Sequence, residues 1–240
     1  MEGYPLALVT GAAYRLGRVF ALTLARQGYA ILLHYYHSIE VVESTLDEIR
    51  SIGVPAFPVK ADLTDILQIQ SLFTAIDSIG FPLKVLINSA AEMRRADLGS
   101  MTVEDWDATI NLNLRAVVFV AKNAAERMSD GGLIVNISDA GSGMAWTGFP
   151  AYSVSKAGLD SLTRIQAKTY APKIRVNAIA PGLALPAADV SPEEWARLID
   201  RLPLNHPVEM EELADTLKFL LSNESITGQT IVVDGGYSLI

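Results

Sequence analysis

The chain has 240 residues, half of them apolar and 19% charged, with no compositionally biased stretch, which is the profile of one folded α/β-sized domain. Its net charge of −8, from 19 lysines and arginines against 27 aspartates and glutamates, argues against nucleic acid or an anionic membrane as the main partner. The absence of cysteine excludes disulfides, thiolate metal sites and a thiol nucleophile.

The chain enters an apolar run at once, without the basic start and cleavage site of a signal peptide. No apolar run approaches the ~20 residues needed to span a membrane, so a cytoplasmic protein is expected. Leu6–Thr10 reads as a strand closed by Gly11, followed from Leu16 by a helical stripe (Val19, Phe20, Leu24) that Gly28 stops. Ala30–Tyr35 is a second strand. Ile39, Val42, Leu46 and Ile49 mark the next helix, stopped by Gly53, and Val54–Lys60 is a third strand despite its prolines. A stripe from Ile66 to Ile79 ends at Gly80, and Lys84–Asn88 is a strand. Thr102 and Asp105 form a capping box that opens a long helix through Ala125. Leu133–Ile137 is a buried strand, Tyr152–Tyr170 a helix stopped by Pro172, and Ile174–Ile179 a strand. Ser191-Pro-Glu-Glu starts another helix, with Glu194 completing the cap; Met210–Ser222 is a helix and Thr230–Val233 the last strand. Strands alternating with helices predict a single Rossmann-type, doubly wound parallel sheet with helices on both faces. Ligands of such sheets bind beyond the carboxyl ends of the strands.

The segments after strands carry the chemistry. Gly11 follows the first strand and Gly17 opens the first helix, which allows a pyrophosphate to approach backbone N–H groups. The run TGAAYRLG is not G-x-G-x-x-G, and alone it equally suits any tight strand–helix turn. The end of the second strand reads His34-Tyr-Tyr-His-Ser38, with no acid before Glu40 to bind a ribose 2′-hydroxyl. Arg15, His37 and Ser38 offer donors to a 2′-phosphate instead, which predicts NADPH. Taken singly, His34 and His37 equally read as exposed imidazoles. Tyr152 and Lys156 lie one helical turn apart on one face. Lowering a phenol from its ordinary ~10 toward neutrality takes roughly 4 kcal/mol, which neighbouring positive charge supplies. Tyr152 is then a general acid in the reducing direction.

In this order TGAAYRLG, Asp62-Leu63, NSAA from Asn88, Tyr152/Lys156, Pro181-Gly182 and VDGG resemble the short-chain dehydrogenase/reductase family over essentially the whole chain. Arg15 stands where that family's pattern T-G-x-x-x-G-x-G has its middle glycine. The resemblance implies nicotinamide-cofactor contacts at Gly11, Arg15, Leu16, Gly17, His34, Tyr35, His37 and Ser38. It implies more at Asp62, Leu63, Asn88, Ala90, Tyr152, Lys156, Pro181 and Gly182, with Asn88 bracing the pocket. Lys156 would hold the nicotinamide ribose and depress the phenol, and Asn113 would support a proton-relay water; on its residues alone Asn113 equally reads as a polar helix position. Residues 183–204 correspond to a substrate lid, no metal is implied, and a homotetramer is expected, helped by the apolar VDGGYSLI terminus.

The family has serine thirteen residues before its tyrosine; this chain has Asp139 there, with Ser138 one place early. Strand neighbours point to opposite faces, so the two are not expected to share the pocket, unless a frayed strand end lets Ser138 rotate in. A carboxylate donates no hydrogen bond to a developing oxyanion and suits a substrate with N–H groups or a protonatable ring nitrogen. Asp139, Arg15, LHYYHS, PGLAL and VDGGYSL resemble the pteridine reductase branch, which implies hydride transfer to a pterin ring with Asp139, Tyr152 and Lys156 handling the proton. The branch's stacking aromatic after strand four is replaced by Met93; Trp146 is the alternative platform, and also reads as a loop anchor. Leu183 completes the expected substrate contacts. The expected substrate is therefore a small molecule, a dihydropterin or dihydrofolate. A 3-oxoacyl-thioester or general carbonyl reductase would have serine at 139, and a non-catalytic NADPH-binding regulator has no need of the Tyr152/Lys156 pair.

Overall fold

Seven short apolar runs pair in parallel, the central ones buried on both faces by the connecting helices and the edge strands partly exposed. The computed structural model describes residues 3–37, 39–186 and 190–240. The strands are β1 (Leu6–Thr10), β2 (Ala30–Tyr35), β3 (Ala56–Lys60), β4 (Leu83–Asn88), β5 (Gly132–Ile137), β6 (Ile174–Pro181) and β7 (Thr230–Val233). They form one sheet in the order β3-β2-β1-β4-β5-β6-β7, every pairing parallel. The helices are α1 (Arg15–Arg26), α2 (Ile39–Ile52), α3 (Ile66–Ile79), α4 (Val103–Ile110), α5 (Ala116–Arg127), α6 (Pro150–Tyr170), α7 (Pro192–Ile199) and α8 (Met210–Ser222).

Side-chain alternation divides the core into two layers. Ala7 and Val9 of β1 and Ile31 and Leu33 of β2 face one layer with Phe20, Leu24, Val42, Leu46 and Leu217. Leu6, Leu8, Ala30 and Leu32 face the other, with Ile69, Phe73, Val120 and Ala124. The order in which strands are laid down reverses at β1 and β4, with β2 and β3 added on one side and β4 to β7 on the other, and this switch point opens the crevice at the strands' carboxyl ends.

The expected single long helix after Thr102 is instead α4, one π-helical turn at Asn111–Arg115, and α5. The Thr102/Asp105 capping box is present. The π turn is where Asn113 reaches the loop after β4: its Oδ1 accepts from Glu92 N–H (2.9 Å) and its Nδ2 donates to Glu92 O (2.8 Å). Inserting an extra residue in a turn at a functional site is what π-bulges commonly do. Ser191 caps α7 by accepting from Glu194 N–H at 3.1 Å, with Pro192 in first position, but no reciprocal Glu194 bond completes a box. No helix among the described residues is long and apolar enough to cross a membrane.

Candidate active site

The loops after the strands enclose a cleft of about 1640 Å³. Its floor on the β1 side is made of backbone packed to the limit. Gly11 has φ +63°, and a Cβ there would lie 2.8 Å from Ala90 Cα. A Cβ on Gly17 would lie 2.2 Å from Gly11 O, so α1 meets the β1 turn with no room for a side chain. No side chain caps α1, which leaves first-turn N–H groups available to an anion. Thr10 Oγ1 accepts from the N–H groups of Ser89 (3.0 Å) and Ala90 (3.1 Å), joining the ends of β1 and β4. A cradle that any Cβ would fill, at an uncapped helix start, fits the pyrophosphate of a dinucleotide.

His34 is neither exposed nor a phosphate donor. It is 2% exposed; its Nδ1 accepts from Gly11 N–H (3.1 Å) and its Nε2 faces Ala61 O (3.0 Å). Accepting at Nδ1 requires the proton on Nε2, so both nitrogens are engaged. Burial drives its pKa down to about 4, against the Ala61 bond and the charge of Asp62. His34 therefore holds the β1 turn rather than touching a 2′-phosphate. Arg15 takes the left-handed conformation (φ +53°) that explains a glycine in the family pattern. Its guanidinium donates to Leu185 O (3.3 Å) and Pro186 O (3.1 Å), tying α1 to the segment after β6. His37 packs on Tyr36 (centroids 4.2 Å) at the cleft rim, and Tyr35 and Leu16 line the wall. Ser38 lies outside the described residues. Asp62 and Leu63 line the cleft, Asp62 Oδ1 accepting from Thr64 N–H at 2.8 Å. Asn88 is absent from the wall: it donates to Asn136 Oδ1 (2.8 Å), and Asn136 donates to Thr163 Oγ1 and Gln166 Oε1. It braces β4 against β5 and α6, the support expected of it. Pro181, Gly182 and Leu183 form the wall after β6.

The opposite half is built from side chains. The Tyr152 hydroxyl donates to Asp139 Oδ2 at 2.7 Å, and Gly141 N–H donates to Asp139 Oδ1 at 2.7 Å. Lys156 Nζ lies 5.5 Å from the Tyr152 ring centroid and donates to Ile137 O at 2.8 Å. Asp139 thus turns its carboxylate to the phenol. Ser138 also borders the cleft, contrary to strict alternation, but its Oγ is buried and unpartnered. Burial, then the charge of Asp139 and its hydrogen bond, raise Tyr152 well above the usual phenol value. This corrects the expectation of a phenol near neutrality: with its acceptor at 2.7 Å, Tyr152 is held as the neutral donor. Burial raises Asp139, opposed by the bonds from Tyr152 and Gly141 and by the charge of Lys156. Burial lowers Lys156 to about 8, opposed by Asp139 and Asp160.

Asn113 is 1% exposed and not on the cleft wall. Its amide is occupied by Glu92 and by Ser155 Oγ (3.2 Å), so it ties α6 and the π turn to the post-β4 loop. Met93 is exposed at the rim; Trp146 stacks on Tyr152 at 6.2 Å and 4° between planes. Trp146 can lie flat there because residue 141 is glycine: a Cβ would come within 2.2 Å of its ring.

Sequence reasoning missed four contributors. Tyr237 tilts against Trp146 at 6.1 Å; the Asp-Gly-Gly turn before it is legible, but not where it aims. Asp160, one turn beyond Lys156, accepts from Ser142 Oγ (2.6 Å) and Thr230 Oγ1 (3.1 Å), and so anchors the turn that Asp139 begins. The spacing Lys156-x-x-x-Asp160 was the available signal. Arg95 and Phe149 form the outer rim.

Residues 11–238 match the family model described as enoyl-(acyl carrier protein) reductase. The chain is 34% identical over 237 residues to 3-oxoacyl-(acyl-carrier-protein) reductase FabG of Staphylococcus aureus, covering 96% of each. Among solved structures it resembles FolM alternative dihydrofolate reductase 1 of Brucella canis complexed with NADP. The TM-score is 0.93 and the identity 33%, covering 100% of this chain and 96% of that one. It also resembles a blue fluorescent protein from a metagenomic library in complex with NADPH, with TM-score 0.91 and 28% identity, covering 97% of each. With the sheet order, the glycine cradle and the Tyr152/Lys156 helix, these likenesses assign the chain to the short-chain dehydrogenase/reductase family of oxidoreductases.

Proposed function

We propose that the protein is an NADPH-dependent reductase of a pterin-type substrate, a dihydropterin or dihydrofolate. The observation that carries this reading is the 2.7 Å bond from Tyr152 to Asp139: an acidic group, not a hydroxyl, stands beside the proton donor. NADPH would supply the hydride. Gly11, Gly17, Ala90 and Gly182 would admit its phosphates and rings by their lack of bulk. Tyr152 would hold the proton at its hydroxyl and pass it to a substrate ring nitrogen. Asp139 would accept from substrate N–H groups, and after Tyr152 has given up its proton it would relay to the phenolate a replacement proton taken up from solvent, a task suited to a carboxyl whose burial raises its pKa. Lys156, cationic at neutral pH with its value near 8, would hold the ribose and offset charge as the phenol loses its proton. The Brucella FolM likeness and its bound NADP support both cofactor and substrate class. Asn113 would act as a positioning residue, and residues 183–204, of which 187–189 lie outside the described residues, as a substrate lid that Arg15 ties at Leu185.

The FabG likeness favours a second reading, reduction of a 3-oxoacyl thioester. There Asp139 would be an obstacle to the developing oxyanion. Dihydrobiopterin, dihydrofolate and acetoacetyl-CoA compared by loss of NADPH absorbance separate the two readings. A higher kcat/KM for either pterin is expected; a higher value for the thioester overturns the proposal, and faster turnover with NADH overturns the cofactor. A homotetramer is part of the proposal, the exposed Val232, Leu239 and Ile240 giving it an apolar edge; light scattering reads the mass.

A further inference from the structure

Four arginine and lysine side chains line the cleft: Arg15, Arg94, Arg95 and Lys156. Three are committed. Arg15 donates to the Leu185 and Pro186 carbonyls, Arg94 pairs with Glu92 at 3.0 Å, and Lys156 donates to Ile137 O. Arg95 has no hydrogen bond or ion pair among the described residues, and its guanidinium lies 5.9 Å from the Phe149 ring centroid. Its position is defined on both sides: Ala96 N–H donates to Gly148 O at 3.0 Å, closing the post-β4 loop onto the loop that leads into α6. From Arg95 an aromatic path runs inward. Phe149 meets Trp146 edge-on at 6.5 Å, and Trp146 stacks on Tyr152. A planar group beside Tyr152 therefore has one aromatic wall leading outward, and that wall ends in an unpaired cation. On a chain of net charge −8, Arg95 is a cleft-lining cation that no carboxylate among the described residues pairs with, although Asp62, Glu92, Asp139 and Glu194 also line the cleft.

We infer that Arg95, at the end of the Tyr152–Trp146–Phe149 wall, binds an anionic tail on the substrate, so that the preferred substrate is a reducible head group carrying a carboxylate or phosphate at its far end. This rests on the reductase reading for the place of the head group beside Tyr152. The guanidinium's planar fork accepts either anion, and its stacking on Phe149 restricts its rotation, which lowers the cost of pairing.

The experiment compares two matched pairs on the full chain with cofactor: dihydrobiopterin against dihydrofolate, and an acetoacetyl N-acetylcysteamine thioester against acetoacetyl-CoA. Each is measured for KM by turnover and for Kd by tryptophan quenching. Arg95→Ala is expected to raise KM and Kd of a tailed member about fivefold relative to its tail-less partner, the size of a rim ion pair. Arg95→Lys should restore most of the ratio. Added salt should weaken wild-type binding of the tailed ligand and leave the variant flat. The pair that responds identifies the tail as carboxylate or phosphate. Equal changes in both members, no change, or a response without salt dependence overturns the inference. If nothing is turned over, the reductase reading fails while the Kd ratios still decide on Arg95; if none of the four ligands binds, both fall.

Discussion

The two halves of the cleft solve the same problem, a fixed geometry at the ends of parallel strands, by opposite means. On the β1 side the shape is set by the absence of side chains: Gly11 and Gly17 bring backbone within distances no Cβ survives, and a buried neutral His34 pins the turn. On the β5–α6 side it is set by bonded side chains, Asp139 accepting from both Gly141 N–H and the Tyr152 hydroxyl, with Lys156 and Asp160 behind. The first half couples ligand space to fold stability, because any change in it moves main chain. The second half separates them, because its groups can be altered with the backbone left in place.

That contrast is open to test. Tyr152→Phe should lower kcat by about 10²–10⁴ while leaving the unfolding midpoint and NADPH affinity near those of the parent; a parallel loss of stability would erase the distinction. His34 gives the complementary effect. Its imidazole is neutral in the fold, with a value near 4 against an ordinary 6.5, so the unfolded chain takes up a proton first. Stability is full above pH 6.5, is lost as pH falls from 6.5 toward 4, and levels off below. The span corresponds to about 3 kcal/mol. Urea unfolding from pH 7 to 4 should show this slope, and His34→Gln should flatten it; an unchanged slope in the variant would remove His34 from the account. Gly17→Ala, with its Cβ 2.2 Å from Gly11 O, should cost about 1–3 kcal/mol and weaken NADPH binding at the same time. Loss of turnover alone, with both of these preserved, would show that the two halves do not differ as described. The smallest effect is expected from Asp139→Ser: about tenfold lower kcat/KM for a pterin, with carbonyl reduction gained. Unchanged pterin kinetics would exclude a role for the carboxylate.

Much of this was legible in the chain. The switching hydrophobic period marked all seven strands, and Gly28, Gly53 and Gly80 ended helices where it said they would. The cradle glycines and the Tyr152/Lys156 face were readable because local spacing alone puts them on a turn and on one helical face. Asp139 was found by counting back from Tyr152, and its carboxylate does face the phenol. The readings that failed share a cause. His34 sat in a polar run and read as an exposed imidazole, and Tyr152 as a phenol near neutrality, because a string of residues does not specify who stands opposite.

The sequence by itself determined the sheet, its two-layered core and the residue types at the reacting centre, since these follow from periodicity and short-range geometry. Only the tertiary structure decided the π turn that turns Asn113 onto residue 92, the partner of each His34 nitrogen, and the protonation state that burial beside Asp139 imposes on Tyr152. Those depend on contacts between groups far apart along the chain and on how much water burial removes, and neither quantity has a local signature.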